Sequence, residues 1–184
     1  MKGHLFVITG PSGAGKSSIA EALLAKHTLD LKRVVTCTTR TPRPGELNDV
    51  DYHFLTHEEF ERLIATDALL EWAQVYGNYY GSRKQDVQEM LDRGETVLIV
   101  LDVQGAARLH NIFPEAKIIF ITADSSDILR DRIIRRNPKL NDVDDRQAVL
   151  QKELAFIDKS DFIVTNHEDR LEEATKEVEG IVLS

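Results

Sequence analysis

Cysteine is almost missing from this chain: Cys37 is the only one in 184 residues. A single thiol excludes an internal disulfide and a cysteine-rich metal site, and it fits a reducing cytoplasm. Long apolar runs are missing too. No stretch approaches the ~20 residues that a membrane span requires. The opening Met1–Ile8 segment has too short an apolar run for a signal peptide. There is no internal repeat and no low-complexity tract. Positive charge is in deficit, with a formal net charge of −8, which argues against a general nucleic-acid binder, because that needs a basic face. Local basic clusters remain possible, and two occur. The length suits one domain with appendages and a substantial core.

What is present begins at residue 10. Gly10-Pro11-Ser12-Gly13-Ala14-Gly15-Lys16-Ser17 fits the pattern G-x-x-x-x-G-K-[ST]. An apolar strand-like run, His4–Thr9, precedes it, and a run with helical spacing follows from Ser17 and Ser18. Strand, glycine-rich loop and helix form the context in which this pattern is a phosphate site. The glycines let backbone N–H groups turn inward, and the helix N-terminus adds partial positive charge. Lys16 would reach the β- and γ-phosphates, and the Ser17 hydroxyl would ligate Mg²⁺. The chain is therefore expected to bind a nucleoside triphosphate.

Strand-like runs at 4–9, 32–37, 96–102, 116–122 and 161–165 alternate with helix-like runs. The helical runs lie at 16–27, 57–65, 83–93, 105–111, 125–136, 142–158 and 168–181. Such alternation predicts βαβ units and an α/β fold, with a parallel sheet covered by helices on both faces. The stretch 36–82 departs from it. It carries Pro42, Pro44, Gly45, Gly77, Gly81, the only Trp and all four Tyr, and reads as an inserted β-rich substrate region. Residues 130–146 are charged and broken by Asn137-Pro138, and read as a helical flap.

Four constellations carry chemistry. Arg40 and Arg43 lie among hydroxyls and prolines, and their guanidinium forks suit a phosphate monoester. A solvated surface loop is the plainer alternative. Glu71 sits inside an apolar run and needs a partner if buried. Guanine offers a carboxylate two adjacent donors, and hydroxyls such as Ser82 and Thr36 could donate to its O6. Asp102 ends an apolar strand, where it would hold Mg²⁺ or simply cap the next helix. Arg130, Arg132, Arg135 and Arg136, then Arg146, concentrate positive charge that phosphoryl transfer between polyanions needs. Arg132 and Arg136 share a helix face. No histidine is assigned a metal or acid–base role.

Across nearly the whole chain these segments resemble the guanylate kinase family. The resemblance rests on Gly10–Ser18, Thr38–Glu46, Asp51-Tyr52-His53-Phe54, Glu71-Trp72-Ala73, Gly77-Asn78-Tyr79-Tyr80-Gly81-Ser82, Leu101–Ala106 and Ile163–Asn166. It implies a P-loop nucleoside monophosphate kinase fold with a β-rich GMP-binding insertion and a helical lid. The implied partition is core at 1–32, 83–124 and 156–184, GMP-binding region at 33–82 and lid at 125–155. The implied reaction is ATP plus GMP giving ADP plus GDP with Mg²⁺, with dGMP as an alternative acceptor, in the cytoplasm and without nucleic-acid or membrane partners. Gly10 to Ser18 and Asn166 would serve ATP. Arg40, Arg43, Tyr52 and Tyr80 would serve the GMP phosphate, with Thr36, Glu46, Glu71, Ser82 and Asp102 completing the GMP site. Ser17 and Asp102 would hold the metal. Lys16, Arg40, Arg132, Arg136 and Arg146 would act on the transferring group.

The chain departs from the family pattern at Val100, where an acidic residue is usual, and at Thr36, where serine is usual. Asn137-Pro138 follows Arg136 where Arg-Gly is usual, so Arg135 and Arg136 compete for one role. Two rival classes share the scaffold: a guanylate-kinase-like interaction module, and a kinase for another phosphate ester. Retention of Lys16, Ser17, Arg40, Arg43 and Glu71 speaks against the first, and Glu71 with Ser82 against the second.

Overall fold

Five parallel strands carry the larger half of the molecule in a computed structural model that describes residues 3–26, 30–75, 77–136 and 150–184. The strands are β1 (His4–Thr9), β2 (Leu31–Arg33), β7 (Thr96–Val100), β8 (Lys117–Thr122) and β9 (Phe162–Thr165), in the order β2-β7-β1-β8-β9. Every pairing is parallel, with Phe6 opposite Leu98 on one side and Lys117 on the other. In β1, Phe6 and Ile8 enter one apolar cluster while Leu5 and Val7 enter another. That two-residue alternation, apolar on both faces, is what a doubly covered sheet demands.

The first face packs against α1 (Lys16–Leu24), α5 (Ser126–Arg136) and the C-terminal α6 (Leu171–Leu183) through Ile19, Leu23, Leu129, Ala174 and Val178. The second packs against α3 (Lys84–Asp92) and α4 (Val103–Ile112) through Val87, Leu91, Ala106 and Leu109. The α/β architecture expected from the sequence is thus the one observed.

The segment between β2 and α3 builds a second sheet, in the order β4-β3-β6-β5. It comprises β3 (Cys37–Thr38), β4 (His53–Phe54), β5 (Leu69–Val75) and β6 (Asn78–Arg83). Helix α2 (His57–Ala65) closes it: Phe60 is fully buried and stacks on Tyr79 with ring centroids 5.1 Å apart. A reciprocal cap starts α2, with Thr56 accepting the Glu59 N–H and the Glu59 carboxylate accepting the Thr56 N–H. Cys37 lies in this small core, where burial pushes its thiol up to about 11 and keeps it protonated and unreactive.

The single strand expected at 32–37 is two. Residues 31–33 pair with 96–98, whereas 37–38 pair with 53–54 and 80–81. The chain leaves one sheet for the other between them, and one ladder cannot serve both. Helix α4 begins earlier than expected because the Asp102 carboxylate accepts the Gly105 N–H at 2.7 Å and caps it. Of the helix expected at 142–158, residues 142–149 lie outside the described residues, 150–154 are helical, and Ile157–Lys159 form a 3₁₀ turn.

Candidate active site

The phosphate loop joins β1 to α1. Gly10, Gly13 and Gly15 all take positive φ, at 134°, 82° and 93°. Two of them are also sterically locked. A Cβ on Gly10 would lie 2.1 Å from the Ile121 carbonyl oxygen, and one on Gly15 would lie 2.3 Å from the Asn166 amide nitrogen. Glycine is therefore required twice over, by dihedral angle and by space. Lys16 folds back over the loop, donating to the carbonyls of Gly10 at 2.7 Å and Pro11 at 2.9 Å. Ser12, Ser17 and Ser18 are exposed, while Pro11 and Ala14 are buried.

Asn166 is buried beneath the loop rather than at its rim. Its side-chain amide donates to the Ala14 carbonyl at 2.9 Å, and its backbone carbonyl accepts from the Arg132 guanidinium at 3.2 Å. Arg132 on α5 thereby reaches the end of β9, next to the loop. Arg135 pairs loosely with Glu168 at 3.7 Å. The side chain of Arg136 and all of Arg146 lie outside the described residues.

The second sheet gathers the remaining candidates. The Arg40 guanidinium takes Glu46 in a two-point pair, at 2.9 and 3.0 Å, and lies over the rings of Tyr52 and Phe54. Glu46 also accepts the Arg43 N–H at 2.6 Å, so it ties the proline-rich loop to Arg40. That pairing, with the Arg43 N–H in support, holds the Glu46 carboxyl below the usual carboxylate range. Tyr52 and Tyr80 meet edge to face, 6.4 Å between centroids. These residues make a half-exposed cradle of guanidinium, phenol and backbone donors.

On the neighbouring strands, the Ser82 hydroxyl donates to Glu71 at 2.9 Å. Ser82 is fully buried. Burial pushes the Glu71 carboxyl up, the Ser82 hydroxyl opposes this, the Asp102 charge adds to it, and the Arg108 charge opposes it. Gly105 closes the site from α4, since a Cβ there would stand 3.2 Å from the Glu71 side chain. A cavity of about 290 Å³ links the two halves: Ser17, Glu21, Arg33, Val34, Thr36, Tyr52 and Val100 line it.

Among the described residues no cluster of three or more His, Cys, Asp or Glu could hold a metal ion. Oxygens at or near the loop include the Ser17 hydroxyl, the Glu153 carboxylate, which accepts the Ser12 N–H, and the Asp102 carboxylate, one oxygen of which caps α4. Such a sparse set fits Mg²⁺, which keeps waters and takes much of its shell from substrate phosphates.

Sequence reasoning missed two features. His53 is gripped from three sides, by Asp49 at 2.6 Å, Arg83 at 2.8 Å and Asp86 at 3.4 Å, and braces the turn that carries Tyr52. Glu153 reaches the phosphate loop, where its carboxylate accepts the Ser12 N–H at 3.3 Å. The DYHF run marked the first position without its partners. No local pattern marked the second.

Comparison with known proteins bears on the same residues. The family model described as Guanylate kinase matches residues 2–184. A guanylate kinase of Clostridium perfringens is 44% identical over 184 residues, covering all of this chain and 84% of the relative. A guanylate kinase of Bacillus subtilis is 38% identical, covering all of this chain and 89% of the relative. Among solved structures, the guanylate kinase from Anaplasma phagocytophilum superposes with a TM-score of 0.73 at 28% identity, covering 99% of this chain and 85% of that one. With a phosphate loop, an arginine–tyrosine cradle and a Glu–Ser pair arranged on two sheets, and with this similarity running end to end, the chain belongs to the guanylate kinase family.

Proposed function

We propose that this protein transfers the γ-phosphoryl group of ATP to GMP, giving ADP and GDP. The observation that carries the reading is the Glu71–Ser82 pair, 2.9 Å apart, on the same small sheet as the Arg40–Glu46 cradle. A carboxylate flanked by a hydroxyl matches guanine, which offers N1–H and the exocyclic amine to one and O6 to the other. Adenine has the opposite polarity at those positions. Arg40, Arg43, Tyr52 and Tyr80 hold the GMP phosphate, while Thr36 and Asp102 face the nucleoside.

Residues 10–18 seat the ATP phosphates, with Lys16 at the β- and γ-phosphates and Asn166 fixing the loop's shape. A GMP phosphate oxygen attacks the γ-phosphorus. The bond from that phosphorus to the bridging oxygen breaks, and ADP leaves with the oxygen and its electron pair. Lys16, Arg40, Arg132, Arg136 and Arg146 offset charge on the oxygens in flight, because positioning and electrostatics dominate this chemistry. Mg²⁺, held by Ser17 and Asp102, would neutralise the phosphate oxygens. The partition follows the same logic, with core at 1–32, 83–124 and 156–184, a GMP-binding part at 33–82 and a lid at 125–155. No described helix is long and apolar enough to cross a membrane. On this reading the enzyme works in the cytoplasm.

The test is a coupled ADP-release assay with ATP and Mg²⁺, offering GMP, dGMP, AMP, CMP and UMP in parallel. Turnover confined to the guanine nucleotides supports the proposal. Turnover with a non-guanine acceptor, or silence with all five, overturns it.

A further inference from the structure

The phosphate loop already receives an anion from its own chain. Glu153 belongs to the helical stretch 150–154, and one carboxylate oxygen accepts the Ser12 N–H at 3.3 Å. Ser12 is the third residue of Gly10–Ser17. Its N–H is of the kind that such loops turn toward phosphate. The carboxylate is half-buried, and burial raises its proton affinity. The Ser12 N–H and the Lys16 charge oppose that rise, whereas Asp102 adds to it. The groups that favour its charged form are thus the donors a phosphate would use.

A carboxylate oxygen and a phosphate oxygen make the same demand on an N–H. Both cannot take the Ser12 N–H in line, and two anions at that separation repel. We propose that Glu153 is an internal competitor for the ATP phosphate seat: its carboxylate takes the Ser12 N–H when no nucleotide is bound and is displaced when the triphosphate enters. The proposal rests on the assignment of residues 10–17 as that seat. Two effects follow. The loop keeps an anion-binding shape without ligand, and the apparent affinity for ATP is lowered by the fraction of molecules in which the carboxylate holds the seat.

The test is calorimetric titration of the full chain with ATP and, separately, with inorganic tripolyphosphate, both with Mg²⁺. The variants are Glu153→Gln, Glu153→Ala, Glu61→Gln and Lys16→Met. Glu153→Gln keeps the side chain's size and removes its charge, and Glu153→Ala removes the acceptor as well. Glu61 is exposed on α2, so its variant controls for net charge. Both Glu153 variants should bind ATP and tripolyphosphate roughly three- to tenfold more tightly, the scale of one partly exposed charge contact. Glu61→Gln should match the unaltered protein. Lys16→Met should bind both ligands at least ~10-fold more weakly, as loss of a charged phosphate contact implies. If Lys16→Met weakens binding while both Glu153 variants leave it unchanged or weaker, the competitor is refuted and the seat stands. If Lys16→Met leaves binding unchanged, the seat assignment itself fails and takes the proposal with it.

Discussion

The side-chain amide of Asn166 donates to the carbonyl of Ala14 at 2.9 Å, joining positions 152 residues apart in the chain. The end of β9 therefore fixes the shape of the loop after β1. The same amide nitrogen fills the space a Gly15 side chain would need, 2.3 Å from where its Cβ would stand. Gly15→Ala should cost about 3 kcal/mol or more, from a left-handed φ plus a clash. Asn166→Ala should cost about 1–3 kcal/mol by leaving a buried carbonyl unpaired. In the double variant the clash disappears, and the dihedral strain and the unpaired carbonyl remain. A denaturation double-mutant cycle should then give less destabilisation than the sum of the two singles. Strict additivity would refute the contact.

Glu71 predicts a pH dependence. Burial raises its carboxyl above the usual value, with Ser82 opposing from β6, and Asp102 and Arg108 acting in opposite senses from the α4 side. A carboxyl raised in the folded state takes up its proton at a higher pH than in the unfolded chain. Its penalty on stability is absent below the unfolded value and complete above the folded one. On the proposed reading function runs the other way, since guanine recognition would need the carboxylate. The KM for GMP should rise on the acid side, beginning above the ordinary glutamate pKa of about 4.3. Ser82→Ala removes the hydroxyl that favours the charged form and should move that acid limb upward. A limb left in place or moved downward, in KM measured from about pH 5 to about pH 9, would sink the assignment.

Replacing Glu71 by Gln tests the same pair without titration. The amide keeps one acceptor but turns a donor toward guanine. With hydrogen bonds to charged groups worth about 1.5–3 kcal/mol, kcat/KM for GMP should fall roughly 10- to 200-fold. Affinity for ATP should stay within about twofold of the parent, because no charge beside the phosphate loop has changed. Equal losses for both nucleotides would point to damaged folding.

Arg40 makes a two-point pair with Glu46 and lies 5.5 Å from the Tyr52 ring centroid. Lysine is a point charge and reproduces neither the fork nor the stacking. Arg40→Lys should raise the KM for GMP by about tenfold, the scale of one lost charge-assisted hydrogen bond. Unchanged kinetics would remove Arg40 from the phosphate cradle.

Much of this was legible in residue order, for a physical reason. Phosphate loops and buried parallel strands are local devices, so Gly10–Ser17 and the run Val97–Val100 announce themselves within a few residues. The Glu71–Ser82 pair was readable only as two suggestive residues. Its reality depends on β5 and β6 running antiparallel with Glu71 opposite Ser82. The break between β2 and β3 was hidden because Leu31, Val34 and Cys37 are all buried, and hydropathy does not say which sheet a buried residue faces. His53 with Asp49 and Arg83, and Glu153 with Ser12, were hidden more deeply. Each joins segments whose approach is decided by the whole fold, and neither has a spacing signature.

Thr9 offers a last test, at the end of β1 beside the loop. It is fully buried, and its hydroxyl has no hydrogen-bond partner among the described residues. An unsatisfied buried polar atom costs about 1–3 kcal/mol, whereas an apolar group of the same shape costs nothing comparable. Valine has that shape. Thr9→Val should therefore gain about 1 kcal/mol, which in a chain of this size raises Tm by roughly 2–4 °C. The same variant's KM for ATP separates two reasons for keeping the hydroxyl. An unchanged KM with a raised Tm marks an idle polar atom in the core. A lowered Tm would show that the hydroxyl is satisfied in solution, and a KM several-fold higher would show that it serves the nucleotide.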